Sequence, residues 1–544
     1  MNGEINSYSW WQKGIIYQVY PRSFQDSNND GVGDLPGIVQ RLDYLQELGI
    51  EAIWLSPIFP SPMADFGYDI SDYEGIHPLF GSLEDFDVLL SEVHGRGMKL
   101  ILDLVPNHSS DQHPWFLESR SSKDNPKRDW YLWQDPKPDG AVPNNWLSVF
   151  GGKAWEWDEH TGQYYYHAFL KEQPDLNWRN PEVVAAMLNA MRFWLHKGVD
   201  GFRVDVMWYM IKDLQLRDNP VNPDYCMDRP TCEQLIDVYS TDQPEVHGIV
   251  RKMRQVMDEY QERVMIGEIY LPVDKLMTYY GLEEGKESHL PFNFMLLSLP
   301  WSAKQIDTAI QEYEMALPAD GWPNWVLGNH DRPRVASRLG TEQAKIAAML
   351  LLTLRGIPTL YYGDEIGMKD VLIPADEIQD PQGLNMPDKN LSRDPVRTPM
   401  QWNSEENAGF TKGRPWLRVD PDYKSVNVEL QQQDPASILN FYKKLIAFRQ
   451  NEPSLMVGDY TAVFADDQIL AYTRHLGNDS KFLILLNLTS EGCEFKPQTD
   501  LLKGTIKIAT NPKLENTEIE GRIHLAGNEG MIIQLFQSIP DNGR

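Results

Sequence analysis

Short apolar runs alternate with stretches in which apolar residues recur every three or four positions, and this alternation continues to about residue 457. Eight runs have the length and the β-branched or aromatic content of buried strands. They are GIIYQVY (14–20), EAIWLS (51–56), KLILDLV (99–105), GFRVDV (201–206), VMIGEI (264–269), LPFNF (290–294), WVLGN (325–329) and GIPTLYY (356–362). Helical periodicity fills 38–48, 83–96, 181–196, 243–260 and 341–354, and 435–449 follows the last strand. Strands that alternate with helices predict an α/β fold with a parallel sheet, and eight such units close into a (β/α)8 TIM barrel. An open doubly wound sheet is the competing arrangement.

Two segments break the alternation. Residues 106–178 hold seven of the 17 tryptophans, mixed with turn sequences and the tyrosines 164, 165 and 166. They predict a small inserted domain after strand three, with most of its aromatics forming its own core. Residues 363–434 are rich in Pro, Asp and Asn, and so long a connection marks a functional rim or lid. From residue 458 the period falls to two (YTAVFA, ILAYTRH, FLILLNLT, MIIQLF), which predicts a C-terminal antiparallel β-sandwich. The expected domains are 1–105 with 179–457 as the barrel, 106–178 as the insertion and 458–544 as the sandwich.

Composition narrows the partners. The chain of 544 residues has a net charge of −29, which repels phosphate backbones and anionic lipid. Nucleic acid and membrane partners are therefore not expected, while a small neutral substrate fits. No apolar run approaches the roughly 18 residues of a membrane span. Cys226, Cys232 and Cys493 are too few for a disulfide framework and read as reduced thiols, although the first two could pair. The opening MNGEINSYSWWQKG has neither a basic start nor an apolar core, so the cytoplasm is the expected location. The oligomeric state is left open.

The candidate chemistry lies at strand ends. Residues two apart on a strand share a face, so Arg203 and Asp205 point the same way at the C-terminal end of strand four. That end is where β/α barrels build active sites. The guanidinium of Arg203 is expected to hold Asp205 ionised by opposite charge. Strand five ends in Glu268, and its setting between Ile266 and Ile269 suits a general acid. Strand seven leads to His330 and Asp331, strand three to Asn107 and His108, and strand two to Asp65, Tyr68 and Asp69. Two carboxyls with different surroundings, a third nearby and aromatic faces point to glycoside hydrolysis.

The ordered blocks IIYQVYPRSF (15–24), DLVPNH, GFRVD, IGEI, GNHD and RTPMQW (397–402) together resemble the α-amylase-type glycoside hydrolases (family 13), in the α-glucosidase and oligo-1,6-glucosidase branch. That resemblance implies Asp205 as nucleophile, Glu268 as acid/base and Asp331 as a stabiliser gripping the sugar. It implies His108, Arg203 and His330 on the nonreducing-end glucose, Tyr68 stacked on its face, and Asp65 with Arg397 closing the pocket floor. The implied activity is a retaining, exo-acting α-glucosidase. A glucosyl-transferring relative, such as a sucrose isomerase or a trehalose-forming mutase, is the alternative. A catalytically dead scaffold subunit is the non-enzymatic one. In the same branch, valine at position 206 accompanies α-1,6 or broad linkage preference.

The stretch DSNNDGVGD (26–34) alternates oxygen ligands at Asp26, Asn28, Asp30 and Asp34, with the Val32 carbonyl between. This resembles the first half of an EF-hand loop and predicts a structural Ca²⁺ or Mg²⁺. Position twelve is Gly37 rather than glutamate, so no helix–loop–helix sensor is expected. No organic cofactor is expected.

Overall fold

A computed structural model describes residues 7–281, 285–477, 480–497 and 502–536. In chain order the strands to residue 361 are β1 (Ile16–Val19), β2 (Ala52–Leu55), β3 (Lys99–Leu104), β4 (Trp133–Gln134), β5 (Trp155–Asp158), β6 (Gln163–Tyr166), β7 (Gly201–Val204), β8 (Val264–Gly267), β9 (Leu290–Pro291), β10 (Asn324–Val326) and β11 (Ile357–Tyr361). Eight of them form one parallel sheet in the order β10-β11-β1-β2-β3-β7-β8-β9. The two edges meet through a parallel bridge between Asn293 and Trp325, where the Asn293 N–H donates to the Asn324 carbonyl at 3.0 Å. The sheet is thus a barrel closed at a narrow seam.

Each of the eight expected strands is present, but several stop early. The run 201–206 ends as a strand at Val204, because Val206 turns into the left-handed region at φ +35°. The helices follow from local signals. Asn180 accepts the Glu182 N–H ahead of Pro181, and the helix Pro181–Lys197 stops at Gly198, with φ +108°. Ser82 and Asp85 form a reciprocal cap for Leu83–Gly95. The expected helix 38–48 is instead two, Leu35–Gln40 and Leu42–Leu48, broken at Arg41.

Within 106–178 the three antiparallel strands run β4-β6-β5. Trp130, Trp146, Trp155 and Trp178 are buried there, while Trp157 is exposed. Beyond the barrel come β12 (Asp459–Ala465), β13 (Ile469–His475), β14 (Phe482–Asn487), β15 (Cys493–Phe495), β16 (Lys503–Ala509), β17 (Glu518–Glu520), β18 (Ile523–Leu525) and β19 (Gly530–Leu535). A six-stranded sheet, β12-β13-β14-β19-β16-β17, is faced by the β15–β18 pair. Strand alternation explains why β13 and β14 are buried along nearly their whole length. Ile469, Leu483 and Leu485 enter the sandwich core with Phe495 and Ile523, while Leu470, Tyr472 and Ile484 join the barrel's core.

Candidate active site

Arg203 is the hub of the barrel's C-terminal rim. Its Nη1 lies 2.7 Å from Asp103 Oδ1 and 2.7 Å from Asp205 Oδ1, and its Nη2 lies 2.6 Å from Glu268 Oε2. Asp103 stands opposite Arg203 in the register of β3 and β7, and Glu268 directly follows β8. All four side chains are buried. Burial pushes Asp205 well above the usual carboxylate range; Arg203 opposes the shift, while Glu268 and Asp103 add to it. Burial likewise pushes Asp103 up to about 6. Arg203 thus acts on Asp205 in the expected direction, favouring its ionised form, while burial acts against it more strongly. One guanidinium is divided among three carboxylates, and burial works against the charged form of Asp205 and Asp103.

Glu268 has a second partner. Its Oε2 also accepts the Val206 N–H at 2.9 Å. Val206 was expected within strand four, but it adopts φ +35°, ψ 49°. A β-branched residue avoids that region, at a cost of about 1–2 kcal/mol.

His330 and Asp331 follow β10. A relay of donors runs from Gln18 Nε2 to His330 Nδ1 (2.8 Å), from His330 Nε2 to Tyr68 Oη (2.7 Å) and from Tyr68 Oη to Asp103 Oδ2 (3.0 Å). The Tyr68 and His330 rings stack at 5.5 Å. Burial holds His330 well below its usual pKa, so it is neutral. Asp331 Oδ1 accepts Arg397 Nη2 at 2.8 Å and Arg393 Nη1 at 3.4 Å. Burial would raise Asp331, but His330, Arg393, Arg397 and Arg203 outweigh it and hold this carboxyl well below the usual range. Because His330 is itself neutral, the guanidiniums carry that effect.

Asp65 sits on Arg393 (2.7 Å), which also binds Asp380 (2.6 Å). Arg397 reaches Asp331 and donates through Nε to the His330 carbonyl at 2.9 Å. His108 receives Asn107 Nδ2 on Nδ1 (3.0 Å) and donates from Nε2 to the Tyr68 carbonyl (3.0 Å); burial lowers its pKa to about 4. Behind it, the buried Lys212 ammonium binds Asn107 Oδ1 at 2.8 Å and the Asp175 carboxylate.

Nine of the ten residues expected at the strand ends are linked by these contacts on one rim, and the tenth, Asp69, is buried behind Asp65 and accepts the Ala64 and Asp65 N–H groups. Sequence reasoning missed Asp103, Arg393, Asp380 and Lys212. Asp103 was visible as the one carboxylate in KLILDL, where an unpartnered buried carboxylate would be costly. The adjoining cleft, of about 600 Å³, is lined from 106–178 by Ser148, Phe169 and Leu170 and from the long loop by Pro381, Leu384 and Asn385.

The loop 26–34 lies elsewhere. Asp26 Oδ1 accepts the Asn28 and Asn29 N–H groups at 2.9 and 2.7 Å, Asn28 Oδ1 accepts Asp30 N–H, and Asp30 Oδ1 accepts Val32 N–H. Asp34 caps the helix Leu35–Gln40 through Gly37 N–H. Among the described residues, no three His, Cys, Asp or Glu side chains converge as a metal-holding group.

Residues 18–458 match the family model of the alpha amylase catalytic domain. An oligo-1,6-glucosidase of Parageobacillus thermoglucosidasius is 40% identical over 564 residues, covering 97% of this chain and 99% of that protein. The crystal structure of the alpha-glucosyl transfer enzyme XgtA matches with TM-score 0.91 and 38% identity, over 97% of this chain and 99% of the other. The isomaltulose synthase SmuA from Protaminobacter rubrum matches with TM-score 0.90 and 36% identity, over 97% and 100%.

Proposed function

The chain belongs to the alpha-amylase family, and from that membership we propose a retaining, exo-acting α-glucosidase that releases glucose from the nonreducing end of short α-glucosides, α-1,6-linked ones included. One observation carries the reading: Asp205 and Glu268 lean on the two terminal nitrogens of one guanidinium. That favours the close spacing of a retaining pair, roughly 5–5.5 Å, over the inverting gap of about 6.5–9.5 Å.

In this reading Asp205 attacks the anomeric carbon while Glu268 gives its proton to the departing glycosidic oxygen. Water then enters, losing its proton to Glu268, and frees glucose from Asp205. Asp331, kept ionised by Arg393 and Arg397, binds the sugar hydroxyls and stabilises the transition state. Arg203 and the neutral His108 and His330 supply hydrogen bonds to glucose, and Tyr68 supplies its ring. The Arg393 pairs with Asp65 and Asp380 close one side of the pocket, which supports exo action.

A transferring enzyme is the second reading, favoured by the names of XgtA and SmuA. Product analysis after incubation with maltose, isomaltose, sucrose and trehalose separates the two. Free glucose supports hydrolysis, and conversion of sucrose to an isomeric disaccharide without glucose release supports transfer. Inertness toward all four would favour the scaffold.

We further propose a structural Ca²⁺ or Mg²⁺ held by Asp26, Asn28, Asp30, Asp34 and the Val32 carbonyl. The fixed turns of that loop support it, since each side chain is already oriented by a backbone N–H. The three cysteines are free, which fits a reducing, cytoplasmic setting. Among the described residues no helix is long and apolar enough to cross a membrane.

A further inference from the structure

Val206 combines two observations that its place in the sequence does not explain. Its backbone is left-handed, a conformation that persists in a β-branched residue only when the surroundings impose it. The two N–H groups that this turn produces both go to the same residue. Val206 N–H reaches the Glu268 carboxylate at 2.9 Å and Met207 N–H reaches the Glu268 carbonyl at 3.2 Å. On the carboxylate, both protein partners fall on one oxygen. Oε2 accepts Val206 N–H and is also the oxygen that pairs with Arg203 Nη2, at 2.6 Å. Among the described residues, no hydrogen bond reaches Oε1.

Resting on the glycosidase reading above, we propose that Val206 is a positioning residue for the acid/base. Its strained backbone aims an N–H at Glu268 Oε2 and so reserves Oε1 as the oxygen that exchanges the proton. An oxygen that already accepts one N–H and faces a guanidinium nitrogen is a poor place for a hydrogen, because the added O–H would face those positive groups. The proton therefore sits on Oε1. It passes from Oε1 to the glycosidic oxygen as the bond between that oxygen and the anomeric carbon breaks and the bond to Asp205 forms. In the second step Oε1 takes a proton from the entering water, whose oxygen bonds to the anomeric carbon as Asp205 departs. Without the Val206 donor, the carboxyl rotates more freely and the proton is shared between both oxygens.

The test replaces the Val206 amide N–H by an ester oxygen, through incorporation of the corresponding α-hydroxy acid, and leaves the side chain intact. Substituted aryl α-glucosides of similar shape, whose phenols differ in acidity, report how much each reaction needs the proton. With the poorest leaving group, kcat/KM of the ester variant should fall about 10- to 100-fold, the range of a hydrogen bond to a charged group. With the best leaving group the fall should stay within about threefold. Val206→Gly keeps the N–H and adopts positive φ freely, so its dependence on the leaving group should match that of the wild type. The proposal is overturned if the ester leaves that dependence unchanged, or if Val206→Gly alters it as much as the ester does. Neutron diffraction of the wild type decides independently of any variant's folding: a deuteron on Oε1 is expected, and one on Oε2 would overturn the assignment. A wild type that releases glucose from none of these glucosides would instead remove the glycosidase reading.

Discussion

Replacing Arg397 by methionine removes a buried charge while keeping a long, unbranched side chain. Arg397 is fully buried, with Nη2 at 2.8 Å from Asp331 Oδ1 and Nε at 2.9 Å from the His330 carbonyl. After the change, the nearest guanidinium to Asp331 is Arg393, at 3.4 Å. Asp331 keeps 25% of its side chain exposed, so leaving it short of this partner costs about 2–3 kcal/mol, less than the roughly 3–5 kcal/mol of a fully buried pair. The unfolding entropy of a 544-residue chain is roughly 1 kcal/mol per degree, so the melting temperature should fall by about 2–3 °C.

The pH dependence separates charge from packing. The folded pKa of Asp331 lies below its unfolded value, so this carboxylate contributes stability above the unfolded pKa, about 3.9, and loses it as pH falls through the folded one. Part of that contribution disappears in Arg397→Met, while Arg393 keeps the rest. The deficit should therefore be full near neutrality and shrink as the pH drops below about 4. Calorimetry of both proteins at a series of pH values reads this directly. A deficit that stays constant from pH 7 to the acid end would refute the argument and assign the loss to packing.

Other outcomes follow from the same geometry. Asp205→Asn should abolish glucosyl transfer from every substrate, whereas Glu268→Gln should retain the first step on an activated aryl α-glucoside and regain turnover with azide; equal losses of both variants on good and poor leaving groups, with no response to azide, would refute the two assignments. Lys212→Met leaves Asp175 buried without its cation, which should lower stability by about 3–5 kcal/mol in thermal unfolding; an unchanged melting temperature would mean that the ion pair contributes nothing. Chelation should lower the melting temperature more than it lowers turnover in the folded protein, and added Ca²⁺ or Mg²⁺ should restore it, if the loop 26–34 holds an ion remote from the chemistry.

The barrel was legible because its strands are buried on both sides and therefore apolar throughout, and because glycine, proline and capping residues separate them from amphipathic helices. The rim was legible for a related reason. Arg203, Glu268 and His330 are polar groups in or beside apolar strands, where stability alone gives them no use. What escaped is long-range pairing. Arg393 and Arg397 lie four apart in a loop whose periodicity predicts nothing, and only the folded chain shows that one reaches Asp65 and the other Asp331. The break at Arg41 also escaped, because apolar residues on both sides keep one helical phase.

Asp103 and Val206 show how the two kinds of information meet. Asp103 occupies a strand position that folding would fill with an apolar residue, and the register places it opposite Arg203. Its burial is tolerable only because the guanidinium, Tyr68 and Trp54 all donate to it. Those three bonds in turn fix the guanidinium plane on which Asp205 and Glu268 depend. Val206 is the converse case: valine favours a strand, yet the strand ends two residues before it. The preference is overruled one residue after Asp205, where the turn can direct an N–H at Glu268. Local preference and observed geometry conflict at the point where the two carboxyls proposed as nucleophile and acid/base share one cation.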